Sequence, residues 1–144
     1  MRQARIRLLS MVAVVALGVA AAACGGGGGV KATESDFKIE LGSSSAKAGE
    51  VTFNVENNGP SVHEFVVFKT DLAQDALPTK QDENGIEIVD EEGQGVEHID
   101  EIEDIAVGSS QDLKVNLAAG KYVLICNLPA HYTQGMHTAF TVTG

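Results

Sequence analysis

Apolar and polar residues alternate over most of the chain after residue 35. This period of two is typical of β-strands that bury one face. The clearest alternating runs span 37–41, 51–56 and 112–117, and the segments 121–126 and 137–143 supply two further short strands. Residues that favour turns separate the runs, as in the Asn-Asn-Gly-Pro sequence at 57–60. The pattern therefore predicts a domain built from short strands.

One further run differs, because residues 62–69 place Val and Phe at both odd and even positions. That composition is typical of a strand buried on both faces. With this run included, the chain contains six or seven short strands and no internal repeat. This number of strands favours an all-β fold, an antiparallel β-sandwich.

The segment 70–104 interrupts the strand pattern. Within it, residues 82–104 contain 11 acidic side chains and neither Lys nor Arg. We interpret the segment as an acidic, solvated loop insertion, with a short helix over 71–77 that ends before Pro78. Calcium binding is an alternative interpretation because carboxylates are hard oxygen ligands, but the spacing of the acids does not match a known calcium loop.

The first 24 residues have the features of an export signal. Three Arg residues precede an uncharged, apolar run over residues 8–23. A helix of this length reaches about 24 Å, which is short of the roughly 30 Å hydrocarbon core of a bilayer. A cleaved signal therefore fits better than a transmembrane helix. The domain is expected to work outside the cytoplasmic membrane, in the periplasm or at the cell surface.

The end of this signal resembles the processing site of bacterial lipoproteins. Three Ala residues lead into Cys24, and five Gly residues follow. The resemblance implies that Cys24 becomes the lipidated first residue of the mature protein and anchors it to a membrane. Ordinary cleavage after the Ala run and an uncleaved anchor are the alternatives. We interpret residues 25–35 as a flexible, Gly-rich tether and residues 36–144 as the folded domain.

The charge balance excludes some functions. The chain has 20 acidic residues against 10 Lys and Arg, and the formal charge changes from −10 to −13 when the three Arg of the signal are removed. A nucleic-acid-binding surface needs an excess of basic residues, so we expect no nucleic-acid partner. Two Cys residues are too few for a disulfide scaffold or a thiolate zinc cluster.

Potential metal ligands cluster near the C-terminus. Cys126, His131 and Met136 lie in an eleven-residue segment between two predicted strands. Thiolate and thioether are soft ligands, and imidazole also suits copper. His63, in the apolar run 62–69, can supply a second imidazole. Two His, one Cys and a weak axial Met form the ligand set of blue copper sites. Ligation also protects an unpaired thiol from oxidation outside the cytoplasm.

The remaining histidines are left out of this ligand set. His98 lies in the acidic segment, and we expect it to be exposed to solvent. His137 directly follows Met136. Because neighbouring side chains of a strand point to opposite faces, we expect His137 to point away from the metal.

A family resemblance is carried by the segment Gly120–Cys126 together with His63, Pro129, His131, Gly135 and Met136. These residues resemble those of the cupredoxins, the small blue copper proteins related to plastocyanin and azurin. The resemblance covers residues 36–144 and implies a Greek-key β-sandwich. It also implies one type 1 copper ion bound by His63, Cys126, His131 and Met136. The sequence departs from the family at Glu64, where many members have Asn, and at Ala130, where Gly is common.

Four protein ligands leave no open position on the metal, which favours electron transfer over enzymatic catalysis. The resemblance implies that electrons pass through His131, within an apolar patch supplied by Leu128, Pro129, Ala130 and Tyr132. We expect a monomer whose redox partner proteins carry basic docking patches complementary to the acidic domain. An extracytoplasmic copper delivery or storage protein is one alternative function. A module for adhesion or sensing without a metal is another.

Overall fold

The computed structural model describes residues 29–144. The strands are β1 Gly29–Ser35, β2 Lys38–Leu41, β3 Ser45–Lys47, β4 Gly49–Asn57, β5 His63–Thr70, β6 Thr79–Gln81, β7 Glu87–Val89, β8 Val96–Ile105, β9 Ser110–Leu117, β10 Gly120–Ile125 and β11 His137–Thr143. A 3₁₀ helix at Tyr132–Gln134 is the only helix in this range. Between residues 29 and 144, no helix is long and apolar enough to span a bilayer. The export signal and Cys24 lie outside the described residues.

Two sheets pack face to face. One sheet has the strand order β2-β1-β4-β9, and the other has the order β3-β11-β10-β5-β8. Strands β6 and β7 form a separate two-stranded ribbon. The predicted all-β sandwich is confirmed. The sheets are mixed rather than wholly antiparallel, because β1 pairs with β4, and β3 with β11, in parallel.

The main core lies between the two sheets. Phe53 of β4 reaches across to Phe65 and Phe140 of the opposite sheet, with ring centroids 5.3 and 5.2 Å apart. All three rings are almost completely buried. Burial of each such side chain contributes roughly 1.5–3 kcal/mol, so this aromatic contact is a large part of what holds the sheets together.

A second, smaller core covers the other face of β5. Val66 and Phe68 point into it, whereas their neighbours Phe65 and Val67 point into the main core. Leu77 is one of the residues that cover it from outside the sheet. The sequence interpretation of β5 as a strand buried on both faces agrees with this arrangement.

The acidic segment is not a solvated loop insertion, so that interpretation was wrong. Its last part is strand β8, which pairs antiparallel with β5, and Val89 of β7 packs into the second core. Ile102 and Ile105 point inward while the acids between them stay on the surface. The predicted helix over 71–77 is also absent. The stretch instead contains a turn closed by the Ala76 N–H, which donates to the Ala73 carbonyl at 3.0 Å, and the Leu77 N–H donates a hydrogen bond to the Tyr132 hydroxyl.

The predicted tether also needs correction, because Gly29–Ser35 forms strand β1 in the middle of a sheet. Val30 and Ala32 of this strand are buried in the main core. The segment forms a strand because its buried and exposed positions alternate. The preceding glycine run and the polar composition obscured this alternation in the sequence. The folded domain therefore includes residues 29–35.

Glu34 of β1 brings a carboxyl group into the interior. Its side chain is fully buried, and neither carboxylate oxygen has a hydrogen-bond partner. Burial raises the pKa of Glu34 from 4.5 to about 8, and nearby Glu64 contributes in the same direction. A raised pKa means that the folded state binds this proton more tightly than the unfolded chain. Glu34 therefore lowers the stability of the fold progressively as the pH rises from 4.5 to about 8.

We expect the substitution Glu34→Gln to stabilise the copper-free protein at pH 8.5 and to have little effect at pH 5. The gain should be several kcal/mol, since each pKa unit corresponds to about 1.4 kcal/mol. Urea denaturation at both pH values measures it. The control Glu40→Gln removes an exposed charge whose pairing with Lys38 contributes little. If the free energy of unfolding has the same pH dependence in wild type and in Glu34→Gln, the raised pKa assigned to Glu34 is contradicted.

Candidate metal centre

Strand pairing brings the four candidate ligands to one end of the sandwich. His63 begins β5, and Cys126 directly follows β10. The two strands are antiparallel neighbours, with Val66 opposite Ile125, so the start of β5 lies beside the end of β10. The pairing therefore brings together His63 and Cys126, which are 63 positions apart in the sequence.

The segment 126–136 folds back on itself through backbone hydrogen bonds. The Cys126 N–H donates to the Met136 carbonyl at 3.1 Å, and the Met136 N–H donates to the His131 carbonyl at 3.1 Å. The His131 N–H donates to the Leu128 carbonyl at 2.9 Å. These bonds fix the relative positions of Cys126, His131 and Met136 without any metal.

Ala130 has a φ of 66°, which lies in the left-handed region of backbone conformation. This region costs a residue with a side chain roughly 1–2 kcal/mol. The observation explains why glycine is favoured before the second His, and why Ala130 is a departure. The turn keeps its conformation here because the surrounding hydrogen bonds hold it.

The donor atoms converge on one point. Cys126 Sγ lies 3.3 Å from His131 Nδ1 and 3.9 Å from His63 Nδ1. The three donors lie within 4.8 Å of one another. An ion at the centre of a trigonal site, about 2.3 Å from sulfur and about 2.0 Å from nitrogen, separates these atoms by about 3.7 Å. The observed spacing therefore fits a single metal ion.

Burial leaves the imidazole lone pairs available to a metal but keeps the thiol protonated until a metal displaces its proton. Burial raises the pKa of the Cys126 thiol to about 12, although the Glu64 N–H donates a hydrogen bond to Sγ at 3.4 Å. Burial also lowers the pKa values of His63 and His131, which keeps both imidazoles neutral. Neutral imidazoles offer a lone pair, and a coordinated metal converts a thiol to thiolate.

Met136 is the fourth candidate ligand. Its side chain is fully buried, and it packs in the main core together with Cys126. Of the four candidate ligands, His131 alone is partly exposed, whereas His63, Cys126 and Met136 are buried. The site is thus closed on the protein side and reaches the surface at one imidazole.

Glu64 forms a link where many family members have Asn. Burial raises the pKa of Glu64 to about 7, and Glu101 adds to the rise, whereas the backbone of Asn127 opposes it. The backbone N–H of Glu64 donates a hydrogen bond to Cys126 Sγ at 3.4 Å, and this bond connects β5 to the ligand loop.

Sequence reasoning missed two residues next to the ligands. The Asn127 side chain accepts a hydrogen bond from the Val89 N–H at 2.6 Å and donates to the Val89 carbonyl at 3.1 Å, so it fastens the ligand loop to β7. Its position directly after Cys126 was the available signal. Asp36 lies against His63, and the sequence contains no signal for that contact.

Two other side chains on the ligand loop face the second core. Tyr132 is buried, and its hydroxyl donates a hydrogen bond to the Gln74 carbonyl, so it does not belong to the exposed apolar patch assigned to it. His137 packs against Tyr132 with ring centroids 5.1 Å apart, away from the three donors, as expected. His98 is exposed, also as expected.

Comparison with solved structures shows the same fold in blue copper proteins. Auracyanin from the photosynthetic bacterium Roseiflexus castenholzii aligns with a TM-score of 0.52 at 18% identity, covering 81% of this chain and 95% of that one. Rusticyanin from Thiobacillus ferrooxidans aligns with a TM-score of 0.55 at 14% identity, covering 80% of this chain and 77% of that one. An azurin from Methylomonas sp. strain J gives 0.50 at 17% identity, covering 81% and 98%.

Sequence comparison identifies the family. No curated protein matches the chain at a significant level. The family model for copper-binding proteins of the plastocyanin/azurin family matches residues 28–143, which is nearly all of the folded domain. The chain therefore belongs to the plastocyanin/azurin family, whose members are blue copper proteins that transfer electrons and are not enzymes.

Proposed function

We propose that His63, Cys126, His131 and Met136 bind one type 1 copper ion, and that the domain carries single electrons between redox partners outside the cytoplasm. The observation that carries the proposal is the convergence of one thiol and two imidazole nitrogens at spacings of 3.3 and 3.9 Å in a buried pocket. Met136, which is fully buried in the same core as Cys126, would supply a weak fourth contact to the ion.

Bound copper supplies one-electron chemistry by cycling between Cu(II) and Cu(I). The chain contributes a set of donors that does not need to move between the two states. Adjacent strands fix His63 and Cys126, and the folded ligand loop fixes His131 and Met136. Burial of His63, Cys126 and Met136 would limit the access of water to the bound ion. Small rearrangement on gain or loss of an electron favours rapid transfer.

Electrons enter and leave through His131, the partly exposed ligand. The ring of Phe37 stands edge-on against its imidazole, with centroids 5.0 Å apart, and exposed Pro129 lies on the same loop. Val62, next to His63, is also exposed. A small apolar surface of this kind suits partners that bind weakly and dissociate quickly.

The substitution Cys126→Ser tests the copper site most simply. Serine is close in size to cysteine but does not form a copper–thiolate bond, so we expect loss of the blue absorption band with the sandwich still folded. Visible absorption of the copper-loaded protein and far-UV circular dichroism measure the two properties. The matched control Cys24→Ala removes the other cysteine and should keep the colour. A blue Cys126→Ser variant would exclude Cys126 as the ligand.

An acidic surface adjoins the site. The charges of Glu101, Glu91 and Glu103 all raise the pKa of Glu64, the residue after His63, so these carboxylates lie near it. Each of the three is at least partly exposed. We propose that this surface steers a partner with a basic docking patch toward the copper end of the domain.

Electron transfer to a basic c-type cytochrome should slow by about tenfold or more as salt is raised, because salt screens this attraction. Stopped-flow rates measured over a series of salt concentrations test the expectation. The double variant Glu101→Gln and Glu103→Gln should lose much of the dependence. The control pair Glu50→Gln and Asp71→Asn makes the same charge change at the opposite end of the sandwich. If the control pair reduces the salt dependence more than the Glu101 and Glu103 pair does, the partner docks elsewhere on the domain.

We also propose that lipidation at Cys24 holds the domain near membrane-bound partners. The support is the sequence pattern of the signal and the Gly run that follows Cys24. Anchoring raises the effective concentration of the domain at the membrane without any new contact. The formal charge of −13 after signal removal would keep the domain away from an anionic lipid surface.

Cell fractionation tests the anchor. Wild-type protein should be found in the membrane fraction, and Cys24→Ala should move to the soluble fraction with an unchanged copper spectrum. If the variant remains in the membrane fraction, the apolar signal itself is the anchor and lipidation is not required.

A further inference from the structure

The turn between β1 and β2 brings a carboxylate to the copper end of the domain. Asp36 Oδ1 lies 3.0 Å from Nε2 of His63, the ring nitrogen that faces away from Cys126. The His63 ring is fully buried, and the Asp36 side chain is 20% exposed. Because Nδ1 faces the thiol and Nε2 faces the carboxylate, the two sides of the ring have different partners.

Ser61 holds this carboxylate in place. Its hydroxyl donates a hydrogen bond to Asp36 Oδ2 at 2.7 Å, and its backbone N–H donates to Oδ1 at 3.3 Å. Ser61 lies two residues before His63, so Asp36 is fastened to the segment that carries the ligand. The same turn supplies Phe37, which packs against His131. One turn therefore contacts both imidazoles.

The contact selects one form of the imidazole. A carboxylate next to Nε2 favours the tautomer with its proton on Nε2, which leaves the lone pair of Nδ1 free for a metal. The Nε2–H bond does not point directly at Oδ1, since no hydrogen bond of good geometry forms at Nε2. The influence of Asp36 is therefore largely electrostatic, through a negative charge held 3.0 Å from the ring.

We propose that Asp36 is a positioning residue that fixes the tautomer and orientation of His63 and stabilises Cu(II) relative to Cu(I). The inference rests on the proposed copper site. A negative charge beside the ring increases electron donation from Nδ1 and favours the ion of higher charge. The reduction potential of the domain is thus set in part by a residue 27 positions from the ligand in sequence and outside the ligand loop.

The substitution Asp36→Asn keeps the size of the side chain and removes its charge. Loss of such a partner lowers metal affinity by about 10–100-fold. If Cu(II) affinity falls tenfold and Cu(I) affinity is unchanged, the midpoint potential rises by about 59 mV, as measured by redox titration of the blue band. Ser61→Ala, which only loosens Asp36, should produce a smaller rise.

The control Asp71→Asn makes the same charge change at an exposed side chain near Lys121, at the opposite end of β10 from Cys126. The midpoint potential of this variant should differ from that of wild type by at most about a third of the Asp36→Asn shift, because exposed charges at that distance are screened. A potential in Asp36→Asn equal to that of wild type, or equal shifts in the two variants, would overturn the proposal.

A second readout does not depend on copper. Nitrogen-15 NMR of the imidazole rings in the metal-free protein reports which nitrogen carries the proton. We expect the Nε2-protonated tautomer of His63 to dominate in wild type and to lose population in Asp36→Ala. An unchanged tautomer in Asp36→Ala would also overturn the proposal. A wild-type protein that never becomes blue would refute the copper site instead, and the NMR result would still decide the role of Asp36.

Discussion

The antiparallel pairing of β5 with β10 is the contact on which the rest of the structure depends. It places His63 beside Cys126, and it lies at the centre of the larger sheet. Strand β5 is buried on both faces, between the main core and the second core. The site therefore inherits the rigidity of the most buried part of the molecule, and its geometry does not depend on exposed loops alone.

Burial has opposite consequences for the site and for the fold. It keeps the imidazoles neutral, with their lone pairs available to a metal, and it raises the pKa of Cys126 to about 12, so that a metal must displace the thiol proton. It also leaves the carboxyl of Glu34 without a partner at a cost in stability. The core of such a domain contains buried polar groups, the metal ligands among them, and it would be more stable without these groups.

The sequence predicted much of this because ligand chemistry and strand periodicity are local properties. Cys126, His131 and Met136 lie in one short segment, and period-two patterns mark most strands. The contact of Asp36 with His63 was not predictable, because it depends on how a turn packs against a distant strand. Strand β1 was missed because the glycine run and the polar composition masked its alternation. Strand β8 was missed because its apolar residues recur every third position, and its pairing with β5 contains register shifts, so it lacks the period of two.

The proposed copper site has one thiolate and two imidazoles as its main ligands, with Met136 as a weak fourth contact. X-ray absorption spectroscopy at the copper edge of the loaded protein measures these bonds. We expect one short copper–sulfur bond and two copper–nitrogen bonds, with little change in these distances on reduction. A spectrum with no short copper–sulfur bond, or with several oxygen ligands that rearrange on reduction, would contradict the proposed site.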